Sequence, residues 1–114
     1  MMKNAHRILY KSVRKGALFC VVAATVEDER LTIHKVDFQE WDSNRRDGTV
    51  EASYMFDEEN TLKLYNLMQA STASDLITKL KKQFGFRTGM SDFITNLLDF
   101  CEDNGINNDF NVFY

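Results

Sequence analysis

Tyr54-Met55-Phe56-Asp57-Glu58-Glu59-Asn60-Thr61 is the stretch that decides the fold. Up to Phe56 apolar residues alternate with polar ones; after Asp57 the apolar spacing becomes helical. Asp57 is a good N-cap, because its carboxylate can accept from the free amides of a first helical turn. Glu58 and Glu59 then lie against the positive end of the helix dipole. The chain therefore divides here, with strands before and helices after.

Working back from that junction, Val50, Ala52, Tyr54 and Phe56 alternate with Glu51 and Ser53, which predicts a strand with one face to water. Trp41 to Gly48 is polar and closes on Asp-Gly, so it reads as a loop. Leu31-Thr32-Ile33 alternates too, but the apolar parity shifts by one at Val36 and Phe38, which predicts a β-bulge near His34-Lys35. Ala17 to Val26 is a continuous apolar run, the pattern of a central strand covered on both faces. Glu27-Asp28-Glu29-Arg30 is a tight charged link and predicts a hairpin. Ile8 to Val13 supplies a first strand, ended by the turn residues Arg14-Lys15-Gly16. Four strands in sequence make an antiparallel meander.

Working forward, Leu62, Tyr65 and Met68 predict an amphipathic helix. Thr72 with Asp75 resembles a capping box opening a second, whose Leu76, Ile77, Leu80 and Phe84 share one face and which Gly85 can close. Ser91 starts a third, with Met90 as its staple, Phe93, Ile94, Leu97, Leu98 and Cys101 as its stripe and Gly105 as its stop. Phe110, Val112 and Tyr114 alternate once more and predict a short C-terminal edge strand. The expected fold is one α+β domain over residues 1–114: a strand meander (1–56), a helical half packed on one face (57–105) and a last strand (106–114). A free strand at either edge can pair two copies into a homodimer.

A chain of 114 residues builds one core without disulfide staples. Its 44% hydrophobic and 27% charged residues are ordinary globular usage, and the absence of proline argues against linkers. The run Ala17–Val26 is too short to cross a bilayer and no leader pattern precedes it, so the expectation is a complete cytoplasmic protein with no membrane contact. Cys20 and Cys101, without metal or redox spacing, read as buried small hydrophobes. The net charge of −3 is mild but unevenly spread. Lys3, Arg7, Lys11, Arg14 and Lys15 all precede the first acid, Glu27. Acids then gather at Glu27-Asp28-Glu29, at Asp57-Glu58-Glu59, and at Asp99, Glu102, Asp103 and Asp109. Opposed patches of this kind suit a charged protein partner.

Reactive chemistry finds little support. Of the two histidines, His6 lies in the basic lead-in and His34 in a strand, where it could act as a base beside Asp37 or Cys20 but is plainly accounted for as a half-exposed strand residue. Glu58 and Glu59 make no carboxylate dyad, since consecutive helical residues point about 100° apart. No phosphate-binding glycine loop, nucleophile elbow or zinc spacing occurs. No catalytic, metal-binding or cofactor-binding residue is therefore expected. Two binding sets are. Trp41, flanked by Glu40 and Asp42, has the area and rigidity of an interface anchor, or else caps the open end of the core. Arg7, Tyr10, Lys11, Arg14 and Lys15 combine cations with an aromatic, as in sheets that stack single-stranded nucleic acid.

The run Tyr54-x-Phe56-Asp57-Glu58-Glu59-Asn60-Thr61-x-Lys63-Leu64 resembles a motif of small bacterial proteins. So do Leu76 through Lys79-Leu80 ending in Phe84-Gly85, and Phe100-Cys101-Glu102-x-x-Gly105-Ile106 with a C-terminal aromatic. Some members are similar to immunity proteins of contact-dependent growth-inhibition systems, cytoplasmic inhibitors that bind a toxin domain, often a nuclease. The neighbouring architecture is similar to the Whirly fold, a curved antiparallel sheet backed by helices. The resemblance spans residues 54 to 114. It implies a binding protein without catalytic residues or cofactor, whose partner is a cognate toxin domain. Trp41, Asp42, Asp47, Glu58 and Glu59 are the residues expected to meet that partner's basic groups. The alternative is a Whirly-like single-strand binder using the Arg7–Lys15 track.

Overall fold

The computed structural model describes residues 4–14, 17–39, 48–84 and 90–113, with side chains described for 4–11, 20–37, 50–84 and 93–112. Five strands form one antiparallel sheet in chain order: β1 (Ala5–Arg14), β2 (Ala17–Glu27), β3 (Arg30–Gln39), β4 (Gly48–Met55) and β5 (Asp109–Phe113). Between β4 and β5 come α1 (Glu58–Met68), α2 (Ala73–Phe84) and α3 (Met90–Asp103). The α+β meander with a C-terminal edge strand is thus the observed architecture.

Each helix starts and stops for a local reason. The Asp57 carboxylate accepts the Asn60 amide at 2.8 Å and caps α1. Gln69 ends that helix in the left-handed region, at φ 55°, where its amide reaches back to the Tyr65 and Asn66 carbonyls. Thr72 Oγ1 accepts the Asp75 amide at 3.0 Å while Asp75 accepts the Ser71 amide at 3.1 Å, a reciprocal pair of the capping-box kind. Gly105 follows α3 at φ 68°, where a side chain would be strained, and Ile106 donates back to the Cys101 carbonyl. The stop expected at Gly85 lies outside the described residues.

The core forms where the helices cover one face of the sheet. Val22, Ala24 and Val26 of β2 and Leu31 and Ile33 of β3 meet Leu64, Leu76, Ile77, Leu80, Phe93 and Leu97 there, all essentially inaccessible. Burying a side chain of that size contributes about 1.5–3 kcal/mol. Cys20 and Cys101 belong to the same cluster as free thiols. The predicted bulge in β3 does not occur. That strand pairs without interruption with β2 from Arg30 to Asp37 and with β4 from Thr32 to Gln39. The apolar parity shifts because Lys35 and Asp37 occupy the helix-covered face as an ion pair at 3.7 Å, leaving Val36 on the other side. The irregularities lie in β1 instead, between Ile8 and Tyr10 and between Ser12 and Val13.

Candidate functional site

Alternating strand directions bring the β2–β3 turn, the end of β4 and the start of β5 to one end of the sheet. The turn is a two-residue hairpin link in which Asp28 (φ 53°) and Glu29 (φ 63°) both take positive φ, the dihedrals of a primed turn that continues the sheet twist. The Asp28 amide donates to Asn4 Oδ1 at 3.1 Å. Helix α1 is bolted to this end through Leu31. The Phe56 amide donates to the Leu31 carbonyl at 2.8 Å, the Leu31 amide donates to Thr61 Oγ1 at 3.0 Å, and Thr61 Oγ1 donates to the Phe56 carbonyl at 3.3 Å. The segment after α3 is tied in by the Asn107 amide, which donates to Asn60 Oδ1 at 2.9 Å, and by Lys63 Nζ, which donates to the Gly105 carbonyl at 3.1 Å.

These bonds assemble three acidic groups that are far apart in sequence. Glu27, Asp28 and Glu29 come from the turn, Asp57, Glu58 and Glu59 from the start of α1, and Glu102, Asp103 and Asp109 from the end of α3 and the start of β5. Together they are nine of the chain's 17 acidic residues. All are exposed except the half-buried Glu29. Among the described residues the neighbouring cations are Arg30 and Lys63, the second of which sits 3.9 Å from Glu59. The Asn60 amide, and then its side chain, hold the Asp57 carboxyl below its ordinary value by hydrogen-bonding to the ionised form. Glu102 and Asp103 lie in the last turn of α3, against the negative end of its dipole; that turn contains no basic residue of its own, and Lys63 reaches the Gly105 carbonyl from α1. That placement costs local stability, and it concentrates negative potential at this pole. Among the described residues no three His, Cys, Asp or Glu side chains gather closely enough to hold a metal ion. The pole is a field spread over a surface rather than a chelating cage.

Among the described residues no helix covers the opposite face of the sheet, although Ala23 and Ser53 on it are buried. Ile8, Ala23, His34, Ser53 and Asn111 form one row across all five strands, and His6, Thr25, Thr32, Met55 and Asp109 form the next. His34 Nδ1 lies 3.1 Å from Ser53 Oγ and 3.8 Å from Glu51 Oε1, and His6 Nδ1 lies 2.7 Å from Thr25 Oγ1. Hydroxyl and carboxylate converge on the same ring nitrogen of His34, so this is not the relay of a nucleophile, where base and orienting acid use opposite nitrogens. Cys20 and Asp37, considered as its partners from sequence, are on the other face of the sheet. Burial, followed by the Asp37 hydrogen bond and charge, pushes the Cys20 thiol up to about 11, and burial does the same for Cys101.

The residues singled out from sequence are dispersed. Glu58 and Glu59 are exposed at the acidic pole. Trp41, Asp42 and Asp47 lie outside the described residues. The nucleic-acid track also divides. Lys11 is on the uncovered face, whereas Arg7 and Tyr10 are on the helix-covered face, where Arg7 donates to Thr78 Oγ1 of α2 at 2.7 Å and Tyr10 packs against the core. The side chain of Arg14 and all of Lys15 lie outside the described residues. Glu27, Asp28, Glu29, Glu102, Asp103 and Asp109 were visible in the sequence as separate acidic clusters; strand alternation in a meander is the signal that joins them.

No protein-family model, curated protein or solved structure matches the chain. No helix among the described residues is long and apolar enough to cross a membrane.

Proposed function

We propose that the protein acts by binding a basic protein partner at its acidic pole, and that it is an immunity protein which neutralises a toxin domain, of nuclease type, in the bacterial cytoplasm. The observation that carries this reading is the convergence of three acidic groups on one end of the fold. A nuclease must present lysine and arginine side chains to hold phosphates. A rigid surface of carboxylates meets the same groups and covers them. Charges spread over a surface also speed encounter, raising association rates by 10-fold to 1,000-fold at low salt. Function by occlusion requires no catalytic set of its own. Co-expression with the toxin encoded beside its gene tests this reading: growth is restored and the two proteins co-purify. A toxin that kills regardless, with no complex recovered, contradicts it.

The single-strand-binding alternative rests on the uncovered five-stranded face. Its charges argue the other way. Lys11 and Arg30 share that face with Glu27, Glu51 and Asp109, and Tyr10 and Tyr54 are turned to the helix side. Oligonucleotide binding at low salt that weakens steeply as salt rises would favour it over the first reading.

A further inference from the structure

The two edges of the sheet are built differently. β1 carries Arg7, Lys11 and Arg14 and two register shifts, features that blunt an edge against pairing with another chain. β5, Asp109-Phe110-Asn111-Val112-Phe113, pairs with β4 in unbroken register and has neither a cation nor a bulge. Its one charge, Asp109, is at its start. On the helix side of the sheet, Phe110 and Val112 lie beside Tyr54 and Ala52. Helices α1 and α2 pack over β1, β2 and β3, and among the described residues this flank is open enough to leave Phe110 55% exposed, although its ring meets that of Tyr54 in a tilted contact at 4.9 Å.

From this contrast we propose that β5 is a homodimerisation edge, where two copies pair antiparallel about a twofold axis through Asn111 to form one ten-stranded sheet. The occupant is a second copy of this chain for two reasons. First, the strand is self-complementary in that register: Phe110 faces the partner's Val112 and the reverse on the helix side, while the two Asn111 amides meet on the uncovered face. Second, β5 begins at the acidic pole. Antiparallel pairing sends the two poles to opposite ends of the joint sheet, whereas parallel pairing would set them side by side. This inference is independent of the toxin-binding reading, because eight of the nine acids of the pole lie off β5, Asp109 alone being part of the seam.

Sedimentation equilibrium of the full chain, from micromolar to sub-millimolar concentration, tests it together with directed cross-linking. Wild type is expected to pass from one chain to two as concentration rises, and Phe110→Asp to remain a monomer with an unchanged circular dichroism spectrum. Asn111→Cys places two thiols directly across the axis, with Cβ atoms about 5 Å apart, and should form an intermolecular disulfide under mild oxidation. Asp109→Cys leaves its two thiols about 13 Å apart and should not. A chain that stays monomeric across this range overturns the proposal, as does one that adds a strand only from a different protein. So does a dimer that Phe110→Asp leaves intact, or one that cross-links through Asp109→Cys but not through Asn111→Cys. If Phe110→Asp misfolds, the two cysteine variants decide the matter.

Discussion

Leu31 and Thr61, thirty residues apart, are joined by a hydrogen bond from the Leu31 amide to the Thr61 hydroxyl at 3.0 Å, with both residues buried. The same hydroxyl donates to the Phe56 carbonyl, so one side chain locks the first strand of the β3–β4 pair to the first turn of α1. The acidic pole depends on this bolt, because it fixes the start of α1, with Glu58 and Glu59, to the end of the sheet that carries Glu27, Asp28 and Glu29.

Thr61→Val keeps the shape and removes both bonds, leaving a buried amide unsatisfied. Stability should fall by about 1–3 kcal/mol in urea unfolding, while Thr61→Ser, which keeps the hydroxyl, should lose less. Equal losses in the two variants would show that packing rather than the hydroxyl holds the junction.

Asp57 links pH to stability. Its folded-state pKa lies below the ordinary value of 3.8, so its contribution is fully present above that value and is lost as pH falls through the depressed one. Asp57→Asn retains an acceptor for the Asn60 amide but cannot titrate. Urea midpoints measured on the acid side should therefore decline less steeply in Asp57→Asn than in wild type.

Tyr65 is 3% exposed, and among the described residues its hydroxyl has no hydrogen-bond partner. Burial, and then the charge of Glu29, raise its pKa, so the phenol stays neutral. Removing an unpaired buried polar group costs nothing in lost bonding. Tyr65→Phe should leave stability unchanged or raise it by about 1 kcal/mol in chemical denaturation; a clear loss would mean that the hydroxyl is satisfied in solution.

Much of the fold was legible because local rules and global packing agree. Asp57, Thr72 and Gly105 are caps in fact as in pattern, and Phe110 and Val112 do form an edge strand. The expected bulge near His34-Lys35 failed because an ion pair, Lys35 with Asp37, occupies positions that alternation would give to apolar residues. The candidate site was harder to read. Trp41 and Asp42 are sequence neighbours of a strand end, and nothing local tells which end of the sheet that is. Glu27 and Glu58 look unrelated until strand directions are followed through β3 and β4. Arg7 and Tyr10 would point to opposite faces of a regular strand; the irregularity between Ile8 and Tyr10 turns both to the helix-covered face and leaves Lys11 on the other.

The last turn of α3 exposes a trade between stability and binding. Glu102 and Asp103 oppose the helix dipole there, so Glu102→Lys and Asp103→Lys should each stabilise the protein by about 0.3–1 kcal/mol at low salt. The same changes should weaken association with a basic partner. Thermal melts at low and high salt check the first half, since screening should shrink the gain.

The most direct test of the central claim is the association rate with the toxin domain encoded beside the gene, for wild type and for the double variant Glu58→Lys, Glu59→Lys. The rate should fall at least about tenfold at low salt in the double variant, with a flatter salt dependence. A rate that is the same for both proteins at every salt concentration would contradict it, because the pole would then have no part in recognition.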